Sequence, residues 1–109
     1  MTGKLTRFLF SMHTDPHLKK PALIYRTLGN ERRLRILELL TEEKYSGEEL
    51  AEKLMISPPA VSKHLHVLIR AGLIRGKRIG VSVKFELEKN IDIKAIRDVN
   101  NLLTKRLIH

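Results

Sequence analysis

Two helix-start signals stand eleven residues apart in this 109-residue chain, and that spacing constrains the fold more than any other feature. Ser46-Gly47-Glu48-Glu49 has the pattern of a capping box, in which the Ser46 hydroxyl and the Glu49 carboxylate each accept the other residue's backbone N–H. Ser57-Pro58-Pro59 is a serine cap followed by two prolines in a first helical turn, where missing N–H groups cost little. The first helix therefore has room only for Leu50, Ala51 and Leu54 on its apolar side before the turn Met55-Ile56-Ser57. The second continues to Ala71 and stops at Gly72, placed just past the helix end. Leu73 to Ile79 and Val81 to Leu87 then alternate apolar and polar about Gly80, as a two-stranded hairpin does. Two short helices, a tight turn and an immediate hairpin read as a winged helix-turn-helix.

The flanks read as helical. Asp15-Pro16 is a cap and first-turn proline for a helix through Ala22, Leu23, Ile24 and Leu28 that ends at Gly29; Pro21, one turn in, makes its start irregular or delays it. Asn30 caps a core helix from Glu31 to Leu40 with an apolar stripe of Leu34, Ile36, Leu37 and Leu40. Ile93, Ile96, Val99, Leu103 and Leu107 trace one face of a last helix from about Asp92 to Ile108. The expected architecture is mainly α with a small β-hairpin, α-α-α-turn-α-β-β-α, in one domain over residues 1–109. Residues 46–72 are its helix-turn-helix and 73–88 its wing. The last helix, with Leu5, Phe8, Leu9, Phe10 and Met12, offers more apolar surface than one core needs. Residues 13–30 and 91–109 are therefore expected to dimerise about a twofold axis, through Leu23, Ile96, Val99, Leu103 and Leu107. Packing of both ends on the chain's own core is the other use for that surface.

Charge points to the partner. The chain carries 21 Lys plus Arg against 12 Asp plus Glu, a net charge of +9. Residues 1–30 contribute +4, 31–52 contribute −3, 53–85 contribute +7 and 86–109 contribute +1. Lys53, Lys63, Arg70, Arg75, Lys77, Arg78 and Lys84 occupy the third stretch without one carboxylate, which solubility alone does not require. At 100° per residue, Val61, Leu65, Leu68 and Ile69 gather on one side of the second short helix, and Pro59, Ser62, Lys63, His66 and Arg70 lie across the other. The outward side, begun by Ser57 and Ala60, suits a DNA major groove, where serine hydroxyls or a lysine ammonium at the helix's N-terminal end can reach base edges while Arg70 meets a phosphate. The free N–H groups at that helix's start are expected to attract phosphate. Arg75, Lys77, Arg78, Ser82 and Lys84 make the hairpin a DNA-facing wing, with Arg78 the candidate for a narrow minor groove.

This arrangement resembles the ArsR (SmtB-like) winged helix transcriptional repressors. The resemblance rests on Leu34 to Leu40, Glu49-Leu50-Ala51, Ile56-Ser57, Ala60-Val61-Ser62-Lys63-His64-Leu65, Leu68 and Ala71-Gly72-Leu73-Ile74, and spans roughly residues 20–90. It implies a homodimer formed by the first and last helices, binding an imperfect inverted repeat in double-stranded DNA at its own promoter, with Ser62 and Lys63 as the base-contacting pair. Pro58 stands where the family usually has a base-reading Gln, so one common contact is absent. The family's metal sites do not carry over either. Its Cys-x-Cys pair falls on Ser46-Gly47-Glu48, and its interfacial zinc ligands fall on Asp92, Lys94, Lys105 and Ile108, of which only Asp92 matches.

With no cysteine in the chain, thiolate nucleophiles, disulfides, Cys-ligated zinc and thiol sensors are excluded. His13 and His17 have ligand spacing but are separated by a helix start, His109 is terminal, His64 borders the core face and His66 faces outward. No metal and no cofactor are expected, and no residue pattern specifies a small effector. Glu42-Glu43 and Glu48-Glu49 are accounted for by solvation and capping, and no catalytic triad, P-loop or nucleotide fingerprint occurs, so an enzyme is not expected. No apolar run approaches 18 residues, so no membrane partner is expected and the protein is placed in the cytoplasm. The leading function is a sequence-specific, dimeric DNA-binding repressor. A sequence-neutral architectural binder of nucleic acid and a protein-interaction module are the alternatives.

Overall fold

The computed structural model describes residues 16–92 together with Lys94, Asp98 and Asn101. Its elements are α1 (Pro16–Leu28), α2 (Glu31–Leu40), β1 (Tyr45–Ser46), α3 (Gly47–Leu54), α4 (Pro58–Arg70), β2 (Ile74–Ile79) and β3 (Ser82–Leu87). Lys94, Asp98 and Asn101 are helical and exposed. The Asp15 cap, and Ile93, Ile96, Val99, Leu103 and Leu107 of the expected last helix, lie outside the described residues.

Local chemistry sets the helix limits. α1 begins at Pro16 and runs through Pro21 without a break, so Pro21 neither delays nor ends it. At its far end Gly29 N donates to Tyr25 O at 3.0 Å and Arg26 O at 3.3 Å, and the Thr27 hydroxyl donates back to Leu23 O at 2.7 Å. Arg33, one turn into α2, completes this end: Nε donates to Thr27 O at 2.7 Å and Nη2 to Arg26 O at 3.3 Å. A guanidinium thus caps Thr27 O and shares Arg26 O with Gly29 N, at the negative end of the α1 dipole. Asn30 caps α2 by accepting from Arg32 N and Arg33 N. The capping box of α3 closes as expected, with Glu49 N donating to Ser46 Oγ at 3.1 Å and Ser46 N to Glu49 Oε1 at 2.9 Å. Gly72 lies at φ +75, the left-handed conformation for which a glycine is suited after a helix end.

The hairpin is joined by a two-residue loop, Gly80-Val81, between the paired Ile79 and Ser82. Gly80 has φ +64 and Val81 is not left-handed, the combination of a type II′ turn. β1 was not expected from the sequence. It pairs antiparallel with β3, Tyr45 opposite Phe85 and Ser46 opposite Lys84, and makes a three-stranded sheet ordered β1-β3-β2.

One core joins these elements: Ile36, Leu37, Leu39 and Leu40 of α2, Tyr45 of β1, Leu50 and Ala51 of α3, Val61, Leu65 and Leu68 of α4, and Ala71, Leu73 and Ile74 leading into the wing. Two sequence expectations are corrected. Leu39 is buried and Leu34 only half-buried, because α2 sinks its C-terminal half deeper than its first turn. Ile69 is 41% exposed, since one rotation step beyond Leu68 already leaves the narrow buried stripe of α4.

Candidate nucleic-acid interface

α4 follows α3 after a single tight turn and stands clear of the core along one side. Ser57, Pro58, Pro59, Ser62, Lys63, His66 and Arg70 are exposed, while Ala60 is half-buried. Ser57 is the cap: its hydroxyl accepts from Ala60 N at 3.3 Å, and its carbonyl accepts from Val61 N at 3.1 Å. Pro58 and Pro59 have no N–H at all. The expectation of free N–H groups at this helix start is therefore wrong, and the serine and the two prolines were sufficient signal to say so. His64 lies half-buried between α4 and α2; burial first, then the charges of Arg33 and Arg32, hold its imidazole below the ordinary histidine pKa.

The wing carries its cations on two faces. Opposite residues of an antiparallel ladder share a face. Arg75 with Glu86, Lys77 with Lys84 and Ile79 with Ser82 therefore lie on one side, and Gly76 with Phe85 and Arg78 with Val83 on the other. A Cβ at position 76 would stand 3.2 Å from Val83 Cγ1 and 3.5 Å from Phe85 Cε1, so a side chain there would require those two side chains to shift by a few tenths of an ångström.

Three basic groups near the sheet are held by carboxylates. Arg75 Nη2 and Nε each lie 2.8 Å from Glu86 Oε1, and Lys44 Nζ is 3.2 Å from Glu86 Oε2. Burial would raise the Glu86 pKa, but the hydrogen bonds and charges of Arg75 and Lys44 outweigh it, and the carboxyl sits below its usual range. Lys84 Nζ lies 3.5 Å from Glu49 Oε1, whose pKa is lowered by the bonds from Ser46 and, less strongly, by Lys84. Among the described residues no carboxylate pairs with Lys63, Arg70, Lys77 or Arg78. Lys53 instead stands over the Tyr45 ring, its Nζ 5.3 Å from the centroid. Glu86, Lys44 and Glu49 thus order the wing, and sequence reasoning gave none of them that role. Their pairing depends on a strand register that charge counting does not supply.

The positions at which the family's thiolate site would fall, Ser46-Gly47-Glu48, offer no thiolate for a soft metal: Ser46 is committed to the capping box, Gly47 has no side chain and Glu48 is a hard carboxylate. Among the described residues no three His, Asp or Glu side chains gather as a metal-binding group, and no helix is long and apolar enough to cross a membrane.

Helix, tight turn, outward helix and basic hairpin, on one core, define a winged helix-turn-helix of the kind used by DNA-binding regulators. The family model for bacterial regulatory proteins of the arsR family matches residues 30–75. The transcriptional activator HlyU of Vibrio cholerae is 34% identical over 77 residues, which cover 71% of this chain and 70% of that protein. The HTH-type transcriptional regulator Rv0081 of Mycobacterium tuberculosis is 35% identical over 77 residues, 70% of this chain and 68% of its own. Its crystal structure superposes with a TM-score of 0.75, covering 87% of this chain and 95% of that one at 30% identity. The transcriptional repressor SdpR of Bacillus subtilis is 27% identical over 82 residues, covering 75% of this chain and 91% of that protein. The chain belongs to the arsR family and is a winged helix-turn-helix transcriptional regulator.

Proposed function

We propose that this regulator is a dimeric, sequence-specific repressor that binds an inverted repeat in double-stranded DNA. The observation that carries the reading is the placement of the acid-free stretch 53–85: it supplies the outward side of α4 and most of the wing, the two elements that meet DNA in this fold. Ser62 and Lys63 read base edges, Arg70 and His66 meet the backbone, and Ser57, Pro59 and Ala60 border the groove. Lys77 and Arg78, unpaired with any described carboxylate, lie at the duplex beside the site, Lys77 on the wing face it shares with Arg75, Ser82 and Lys84 and Arg78 on the opposite face.

Dimerisation rests on the apolar ends, residues 13–30 and 91–109. Leu18, Leu23 and Tyr25 of α1 are 59%, 37% and 75% exposed, an apolar surface for which a second copy is the natural cover. Two α4 helices about 34 Å apart then engage successive major grooves, and two weak half-site contacts combine into a usable affinity. A dimer seated across a promoter represses by excluding polymerase.

Selection from random duplexes by the purified protein at about 0.15 M salt tests this, since nonspecific phosphate contacts weaken there. Enrichment of an inverted repeat is expected, together with a dimer in light scattering at micromolar concentration. Retention without a consensus makes the protein a sequence-neutral binder, and no retention favours a protein partner for the cationic surface.

A further inference from the structure

After the Ser57 cap, the first turn of α4 presents two proline rings and no free backbone N–H. Pro58 and Pro59 are both exposed, neither has an N–H, and the next two amides are taken by Ser57. Two proline rings therefore stand ahead of Ser62 and Lys63, on a surface otherwise rich in cations and donors. A guanine, adenine or cytosine edge pressed against them would lose water from its donors or acceptors and gain no partner. The thymine C5-methyl is the one feature of the major-groove edge that such a surface satisfies. Proline also has no side-chain rotamers to freeze, so the contact costs little conformational entropy.

We propose that Pro58 and Pro59 make this regulator a reader of thymine methyl groups: each half-site carries thymine beneath the start of α4, next to the bases read by Ser62 and Lys63. The inference rests on the direct-readout function proposed above and adds the base class that α4's first turn selects.

The test replaces each consensus thymine of the selected site by deoxyuridine, which removes the methyl and leaves pairing and O4 unchanged. One or two positions per half-site are expected to lose about fourfold in affinity for each methyl, and the loss should disappear in the Pro58→Ser, Pro59→Ser double variant, whose hydroxyls remove the apolar contact. The substituted DNA on the natural chain needs no variant, so misfolding cannot blur the result. A consensus with no uracil-sensitive position overturns the inference and leaves sequence-specific binding standing. Equal uracil sensitivity in the natural and double-variant proteins also overturns it, because the methyl is then read elsewhere. Absence of any consensus overturns both readings.

Discussion

Met55 closes α3 at φ 57 and ψ 41, a left-handed conformation that a side chain with a Cβ adopts at a cost of about 1 kcal/mol, while its own side chain is 90% exposed. Met55→Gly removes that strain without opening a cavity, and a gain of about 0.5 kcal/mol is expected in denaturant unfolding after the glycine's extra unfolded-state entropy is counted. Ser46→Ala should act in the opposite sense, costing about 1 kcal/mol, because it removes the cap acceptor for Glu49 N. His64 gives a pH signature. Its native pKa lies below the unfolded value near 6.5, so the unfolded chain takes up the proton first as pH falls. Its contribution to stability is complete above the unfolded value. It declines as pH drops from there towards the depressed native value, and it is flat below that. Thermal unfolding of the natural protein and of His64→Gln at pH 7.5 and 5.5 checks this: the natural protein should lose more on acidification, and an equal loss would refute the assignment.

At the scale of elements, the proposed function assigns α4 and the wing different kinds of contact. Lys63→Ala or Ser62→Ala should cost about 1–3 kcal/mol on the preferred site and relax preference at particular bases. Arg78→Ala should weaken all duplexes alike and lower the salt slope by about one. Binding isotherms on specific and random DNA at two salt concentrations separate these outcomes. The helix limits at Asn30, Ser46, Ser57 and Gly72 were legible in the sequence because each is set by residues within one turn of it. β1 was not legible, because two residues carry no periodicity and their pairing is decided by Phe85 and Lys84 some forty positions on. Ile69 was misassigned for a related reason: rotation arithmetic gives the direction of a buried stripe but not its width. The ion pairs of Glu86 likewise follow from register, which fixes Arg75 opposite it.

For the whole molecule, the distribution of charge was readable from the chain, and the structure shows how it is divided. Arg75, Lys44 and Lys84 are held by Glu86 and Glu49, and a set of cations without such partners remains on α4 and at the wing. The Arg33 clamp has a further consequence. By holding Thr27 O and Arg26 O, it ties the end of α1 to the start of α2 and so sets the direction in which α1 leaves the core. If two copies meet through α1, that direction works as a calliper whose opening is the distance between the two α4 helices. Loosening it by Arg33→Ala would leave each half-site's base preferences intact. What would change is the tolerated number of base pairs between half-sites, so the single arginine that caps α1 would decide which promoters the protein can span.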